Sequence, residues 1–460
     1  MSETVEKSTH TNIELIRGDP KKAIKKLSVP MMISMLLIMA YNLADSIWVA
    51  GLGADALAAL GFITPVFMII IGLGNGIGAG ANSLIARSIG AMNKEVADNA
   101  ALHSIVITLI ISILVPIIFL PFLKSLLLMM GATGVSVQYG LDYGNVVFGL
   151  MIVFLVSSVA SAILRSEGDV KRATYAMAIT AILNIVLDPI FIYTLNMGIG
   201  GAAWATILSG LISCAVIIYW MWGKKDTYLD LTIRKFRYSK AILVDILKVA
   251  LPSTAEQLII SILAISINAL LVIVATTDAV AVYTAGMRVV QMAMIPLIGL
   301  GTALLTVGGA AYGARDGNKL EESFHYSLKL GFGLSIIIGI LMYIFSGQIA
   351  IIFSYSETSA YLAPQIAQLL RILCLFTVFV PFGMNASCIF QGVGRGSISL
   401  VITIFRSLLC ELIFAYIGGF VLGMGVLGVY YGVVIGGFIG SFIGFIWGKI
   451  FIRETKKVFN

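Results

Sequence analysis

Two aspartates, Asp45 and Asp188, stand inside stretches apolar enough to cross a bilayer, LLIMAYNLADSIWVAG and TAILNIVLDPIFIY. An ionised carboxylate at membrane depth costs about 2.5–3.5 kcal/mol on insertion scales, so it persists where it faces a bundle interior and binds something. Asn184 precedes Asp188 by one helical turn, which points an amide oxygen and a carboxylate from one helix face. With Asp45 opposite, the set offers only oxygen ligands. That is the chemistry of a hard cation such as Na+ or of an exchangeable proton. Two neighbouring carboxylates in a low dielectric also raise each other's proton affinity, so one proton can be shared between them. Pro189 interrupts the amide network beside the site and loosens a turn there.

The elements that must position these groups are membrane helices. The chain is 460 residues long, 59% hydrophobic and only 12% charged, with a mean hydropathy of +1.01, against about 25% charged residues in soluble domains. Runs of about 20 apolar residues, the length needed to span the hydrocarbon core, occur about twelve times. They lie near 27–50, 57–86, 97–121, 138–164, 172–194, 199–222, 242–273, 280–310, 323–345, 361–391, 397–420 and 425–451. The expected fold class is an all-α polytopic membrane protein. Residues 1–26 are polar and the first apolar run is too long for a cleavable signal, so the first span is expected to serve as the targeting signal.

The formal net charge is +7, and its placement fixes an orientation. Lys21, Lys22, Lys25 and Lys26 precede the first span; Lys224, Lys225, Arg234, Lys235 and Arg237 lie between the sixth and seventh; Arg453, Lys456 and Lys457 end the chain. Arg87, Lys94, Arg165, Lys171, Arg172, Arg315, Lys319 and Arg395 follow even-numbered spans, and the other side has essentially Lys124. By the positive-inside rule both termini are expected in the cytoplasm of a multi-pass cell-membrane protein. No folded basic face or aromatic-interleaved motif supports nucleic-acid binding.

Internal similarity organises the spans further. LSVP at 27–30 returns as VALP at 249–252, IGLG at 71–74 returns at 298–301, and ILRSEG at 163–168 faces IFQGVG at 389–394. MGIGGAAW at 197–204 faces MGVLGVYY at 424–431, and the offset stays between 222 and 227 throughout. Halves with an even number of spans have the same orientation, so the repeats are parallel. The expected organisation is a cytoplasmic segment at 1–26, an N-lobe at 27–222, a cytoplasmic linker at 223–241, a C-lobe at 242–451 and a cytoplasmic tail at 452–460.

The proline of the first span, the glycine-rich second span GLGNGIGAGANSLIARSIGA, the stretch ILRSEGDVKRATYAMAITAILNIVLDPIFIY, and MIPLIGLGTALLTVGGAAYGARDGN in the second half together resemble the multidrug and toxic compound extrusion (MATE) family. The likeness runs over the whole chain. It implies two six-helix lobes in a V around a central cavity, exporting organic, cationic drugs or metabolites in exchange for Na+ or H+, with no cofactor. In one branch of the family the ion site lies in the N-lobe, and Asp45, Asn184, Asp188, Thr206 and Tyr143 stand at its matching positions. Another branch uses a glutamate in the seventh span; Glu256 is shallower than that pattern.

Other groups have competing readings. Asn75 and Asn82 on the glycine-rich helix suit interhelical hydrogen bonds, while Asn75, Glu256 and Arg288 are also candidates to line a substrate cavity. Glu411 is expected to pair with Arg406 or Arg371. The alternative function is a lipid-linked oligosaccharide flippase of the same superfamily, whose pyrophosphate cargo would call on Arg288, Arg371 and Arg406. No DDxxD, HExxH or other catalytic motif appears, so no enzyme is expected. Cys214, Cys374, Cys388 and Cys410 lie within spans as packing residues, and His10, His103 and His325 are too scattered for a transition-metal site. The partners are small organic molecules and membrane lipids, and nothing calls for an obligate protein partner.

Overall fold

The computed structural model describes residues 12–224, 226–275, 277–354 and 360–459, so Lys225 of the linker lies outside the described residues. Helices dominate throughout. After a short helical stretch at 12–17 come α1 (Pro20–Ala50), α2 (Ala54–Gly90), α3 (Lys94–Met129), α4 (Val135–Gly149), α5 (Met151–Ser166), α6 (Val170–Pro189) and α7 (Gly198–Ile218). Then follow α8 (Lys240–Val274), α9 (Thr277–Gly313), α10 (Gly317–Ile344), the short α11 (Ser346–Phe353), α12 (Ala363–Gly392), α13 (Gly396–Ile404), α14 (Leu412–Tyr416) and α15 (Gly425–Phe459).

Among the described residues eleven helical segments are long and apolar enough to span by themselves, and α4 with α5, bent by 48° at Leu150, makes a twelfth when the pair is counted as one span. Three spans widen into π-helical turns. Ile190–Thr194 continues α6 directly after Pro189, Tyr219–Gly223 continues α7, and Phe405–Glu411 and Ile417–Val421 flank α14. A proline cannot donate to the carbonyl four residues back, and the wider turn after Pro189 rearranges the hydrogen bonding there.

The chain divides into two compact units. Unit 1 takes Ile33–Thr254 with the described residues before Asp19, and unit 2 takes Asp19–Met32 with the residues from Ala255 onward. Besides the division at Gly18, two divisions fall two residues after a proline, Pro30 in α1 and Pro252 in α8, so the duplicated LSVP and VALP stretches mark equivalent places in the two repeats.

Within unit 1 the glycine face of α2 lets α5 approach closely: a Cβ on Gly74 would lie 3.1 Å from Ser158 Oγ, and one on Gly78 3.1 Å from the Ala162 methyl. Isoleucine, leucine and alanine of α2, α3 and α5 fill the core behind them. In unit 2 the closest approach is between the turn after α14 and the start of α15. There a Cβ on Gly418 would stand 2.2 Å from the Gly428 carbonyl oxygen. Small residues at such crossings let the backbones pack where lipid offers no hydrophobic drive.

Candidate ion site

Four helices of unit 1 bring polar groups to one buried place. α6 supplies Asn184 and Asp188, both 0% exposed. The Asn184 amide donates to Asp188 Oδ1 at 3.3 Å and to the Thr206 hydroxyl of α7 at 3.1 Å. Thr206 in turn donates to its own helix at the Ala202 carbonyl, 2.9 Å away. With both amide hydrogens committed, Asn184 Oδ1 is left facing the site with no partner.

α1 brings Asp45 into the electrostatic range of Asp188, and α4 brings the buried Tyr143 beside Thr206, with Asp45 and Asp188 as charged neighbours. Among the described residues neither carboxylate has a salt-bridge partner. Three sealed oxygens, Asp45 Oδ1, Asn184 Oδ1 and Asp188 Oδ2, accept no hydrogen bond. Buried polar atoms are paired in more than about nine cases in ten, so three orphaned acceptors together mark a place that a hydrogen-bond donor or a cation would complete. A proton on a carboxyl or a monovalent cation would do so. Among the described residues no three His, Cys, Asp or Glu side chains group as a metal centre.

The structure thus brings together all five residues expected of the N-lobe site. It adds Tyr41, one turn before Asp45 on α1 and an electrostatic neighbour of both Asp45 and Tyr143. Its signal in the sequence was the same i, i+4 spacing that relates Asn184 to Asp188.

The cavity candidates fare differently. Asn75 is exposed on α2 of unit 1, and Arg288 is exposed on α9 of unit 2. Glu256 has local partners: it accepts from the Ser399 hydroxyl at 2.6 Å and from the Gln391 amide at 3.3 Å. Glu411 pairs with Arg406 and not Arg371, at 3.5 Å, inside the π-helical turn Phe405–Glu411. Arg371 donates to Ser346 Oγ at 3.0 Å.

Comparison with known proteins places the chain among transporters. A family model described as MatE matches residues 30–190 and 252–417. The probable multidrug resistance protein YoeA of Bacillus subtilis is 25% identical over 414 residues, covering 88% of each chain. An FAD transporter of Shewanella oneidensis is 26% identical over 415 residues, covering 88% of this chain and 89% of its own. Among solved structures, a MOP superfamily transporter from Pyrococcus furiosus, described with a binding pocket of reverse polarity that suggests a different function, is 44% identical with a TM-score of 0.94, covering 97% of this chain and 98% of that one.

Proposed function

Because the chain belongs to the multidrug and toxic compound extrusion family of multi-pass membrane transporters, we propose that it is a secondary active antiporter of the cell membrane, exporting organic cations in exchange for Na+ or H+. Members of this family are transporters of small organic compounds and not enzymes, and they need no cofactor. The observation that carries the coupling assignment is the trio of orphaned oxygens at Asp45, Asn184 and Asp188. An ion or proton satisfies them, and its departure leaves two uncompensated carboxylates in an apolar unit. That difference between loaded and empty states is what a coupling ion can use to bias one conformation over another.

The exported cation and the inward ion must not leave together on one side. A carboxylate charge that both ligands use enforces this by competition, since binding one lowers affinity for the other. Thr206 and Tyr143 position the cluster, and Asn75, Glu256 and Arg288 are the proposed cavity residues. Both termini and the 223–241 linker lie in the cytoplasm on this reading, with the lobes at 27–222 and 242–451.

A second reading has support in Arg288, which is exposed and unpaired among the described residues and would suit an anionic cargo; the relative named for FAD is consistent with that chemistry. A pyrophosphate-linked flippase is less well supported, because Arg371 and Arg406 already have partners within unit 2.

Proteoliposomes carrying the full chain test the reading, with a sodium gradient and a pH gradient imposed separately and a fluorescent organic cation as cargo. Asp45→Asn and Asp188→Asn are each expected to fall to the rate of empty liposomes while remaining folded in the membrane, with Glu411→Gln milder. Near wild-type concentrative transport by both aspartate variants removes the unit 1 ion site. An unmoved cation with a transported flavin nucleotide favours the anionic cargo.

A further inference from the structure

The segment joining α7 to α8 is strapped to the ends of α3 and α6. Arg172 holds Asp226 through two hydrogen bonds, at 2.9 and 2.6 Å, and Glu167 accepts from the Leu229 amide at 3.2 Å. Asp98 accepts from the Asp230 amide at 2.9 Å, and Asn99 both donates to the Arg237 carbonyl and accepts from the Arg237 amide. The last fastening, just before α8 begins, is made by a histidine.

His103 on α3 is 3% exposed, with the Phe236 ring 4.7 Å and the Tyr238 ring 6.1 Å from its own. Its Nδ1 lies 2.9 Å from the Asn99 carbonyl oxygen, which can only accept, so Nδ1 carries the hydrogen. Its Nε2 lies 3.0 Å from the Ser239 amide, which can only donate, so Nε2 must be bare. Both contacts hold only for the neutral ring in one tautomer. Ser239 is the cap of α8: its hydroxyl oxygen receives the Ile242 amide and its carbonyl receives Leu243.

We propose that His103 is a proton-operated latch: a proton taken up at Nε2 sets a donor against the Ser239 donor, releasing the end of the strap and loosening the first turn of α8. Histidine is the side chain whose charge changes near physiological pH. The charged residues carried nearby in sequence by the elements that meet at His103 are Glu95 and Asp98 on α3, Arg237 on the strap and Lys240 on α8. Glu95 and Arg237 pair with each other at 3.7 Å in solvent, and Asp98 is engaged by Lys94 and the Asp230 amide. Lys240 follows the latch as the first residue of α8. The strap therefore senses the pH on the side of the membrane that it faces. Nothing in this step depends on which ion drives transport.

The test uses the full chain in nanodiscs, with histidine ring nitrogens followed by NMR and amide exchange followed over residues 236–243. The chain has 3 histidines, so single replacements assign the signals. At about pH 8 His103 is expected as the Nδ1–H tautomer with the Ser239, Ile242 and Leu243 amides protected; the acid arm lowers the pH until the ring signals show a second N–H. Exchange there, corrected for intrinsic rates, is then faster by about tenfold, the loss of one hydrogen bond. His103→Phe keeps a flat apolar ring without the acceptor and should exchange quickly at both pH values. His103→Gln keeps an acceptor that does not titrate and should stay protected at both. All measurements are repeated with Glu167→Gln, whose parent carboxyl responds to pH in the opposite sense. An Nε2–H tautomer at high pH, or a wild-type pH response in both His103 variants, overturns the latch.

Discussion

Asn184 decides how the candidate ion site is wired, because its single amide holds Asp188 and Thr206 at once. Replacement by Ala leaves a buried carboxylate oxygen and a hydroxyl without their donor, so Asn184→Ala should cost about 1–3 kcal/mol. Thermal unfolding of detergent-solubilised protein would register that loss, and an unchanged midpoint would mean that water or another side chain replaces the amide. Much of this site was legible in the sequence. A carboxylate in an apolar run and an amide one turn away need no tertiary information to be noticed. The partners of Glu256 were not, since Ser399 and Gln391 lie well over a hundred positions further on and only folding brings them to it. Glu167 is equally silent in the sequence, since its backbone donor Leu229 lies 62 positions further on. Burial, with Asp169 adding to it, pushes its carboxyl up to about 8, against the backbone donors of Leu229 and Tyr228 and the charge of Arg172. A carboxyl whose proton is held more tightly in the folded state contributes stability that is fully present below about 4.5 and lost as pH rises through about 8. Glu167→Gln should therefore flatten the decline in melting temperature across that window, and a decline as steep as wild type would assign it to another group.

At the scale of elements, glycine placement separates contacts that must be close from those that are not. A Cβ on Gly428 would lie 2.1 Å from the Gly418 carbonyl oxygen, a backbone atom that cannot swing away, whereas Gly200 in α7 has nothing within 4 Å of that position. Gly428→Ala should then destabilise by about 1–3 kcal/mol through overpacking. Gly200→Ala should gain about 0.5–1 kcal/mol from restricting the unfolded chain. Equal melting temperatures for the two variants would mean that the α14–α15 crossing can open without cost. The order of the apolar spans and their internal similarity were readable beforehand, because apolar length and repeated polar motifs are local properties of the chain. The 48° break at Leu150 was not: no proline stands there, and neither Gly149 nor Met151 distinguishes a bent span from a straight one. The π-helical turn at Phe405–Glu411 was equally silent, while the one after Pro189 had its proline as notice.

For the whole molecule that broken span controls parity. If α4 and α5 together cross the membrane once, the loop that follows Ser166 lies on the side opposite Lys124, and the later loops alternate from there. Arg172, Lys224, Arg395 and Lys457 then share a side with Lys26 and Lys94. If the pair instead dips in and returns, the loop at Glu167 stays with Lys124, every later loop exchanges sides, and the basic residues are split between the two sides. The positive-inside rule favours the first arrangement strongly, since short loops rich in Lys and Arg are retained in the cytoplasm. Single cysteines at Lys26, Lys171 and Lys124, all exposed, distinguish the two in a background with the four native cysteines replaced. Labelling of intact cells with a membrane-impermeant maleimide should modify Lys124→Cys alone, and permeabilised cells should add the other two. Modification of Lys171→Cys from outside would make α4 and α5 re-entrant and reverse the orientation of every later span. The repeats would then be inverted, and the matching of Pro30 with Pro252 at the two unit divisions would need another cause.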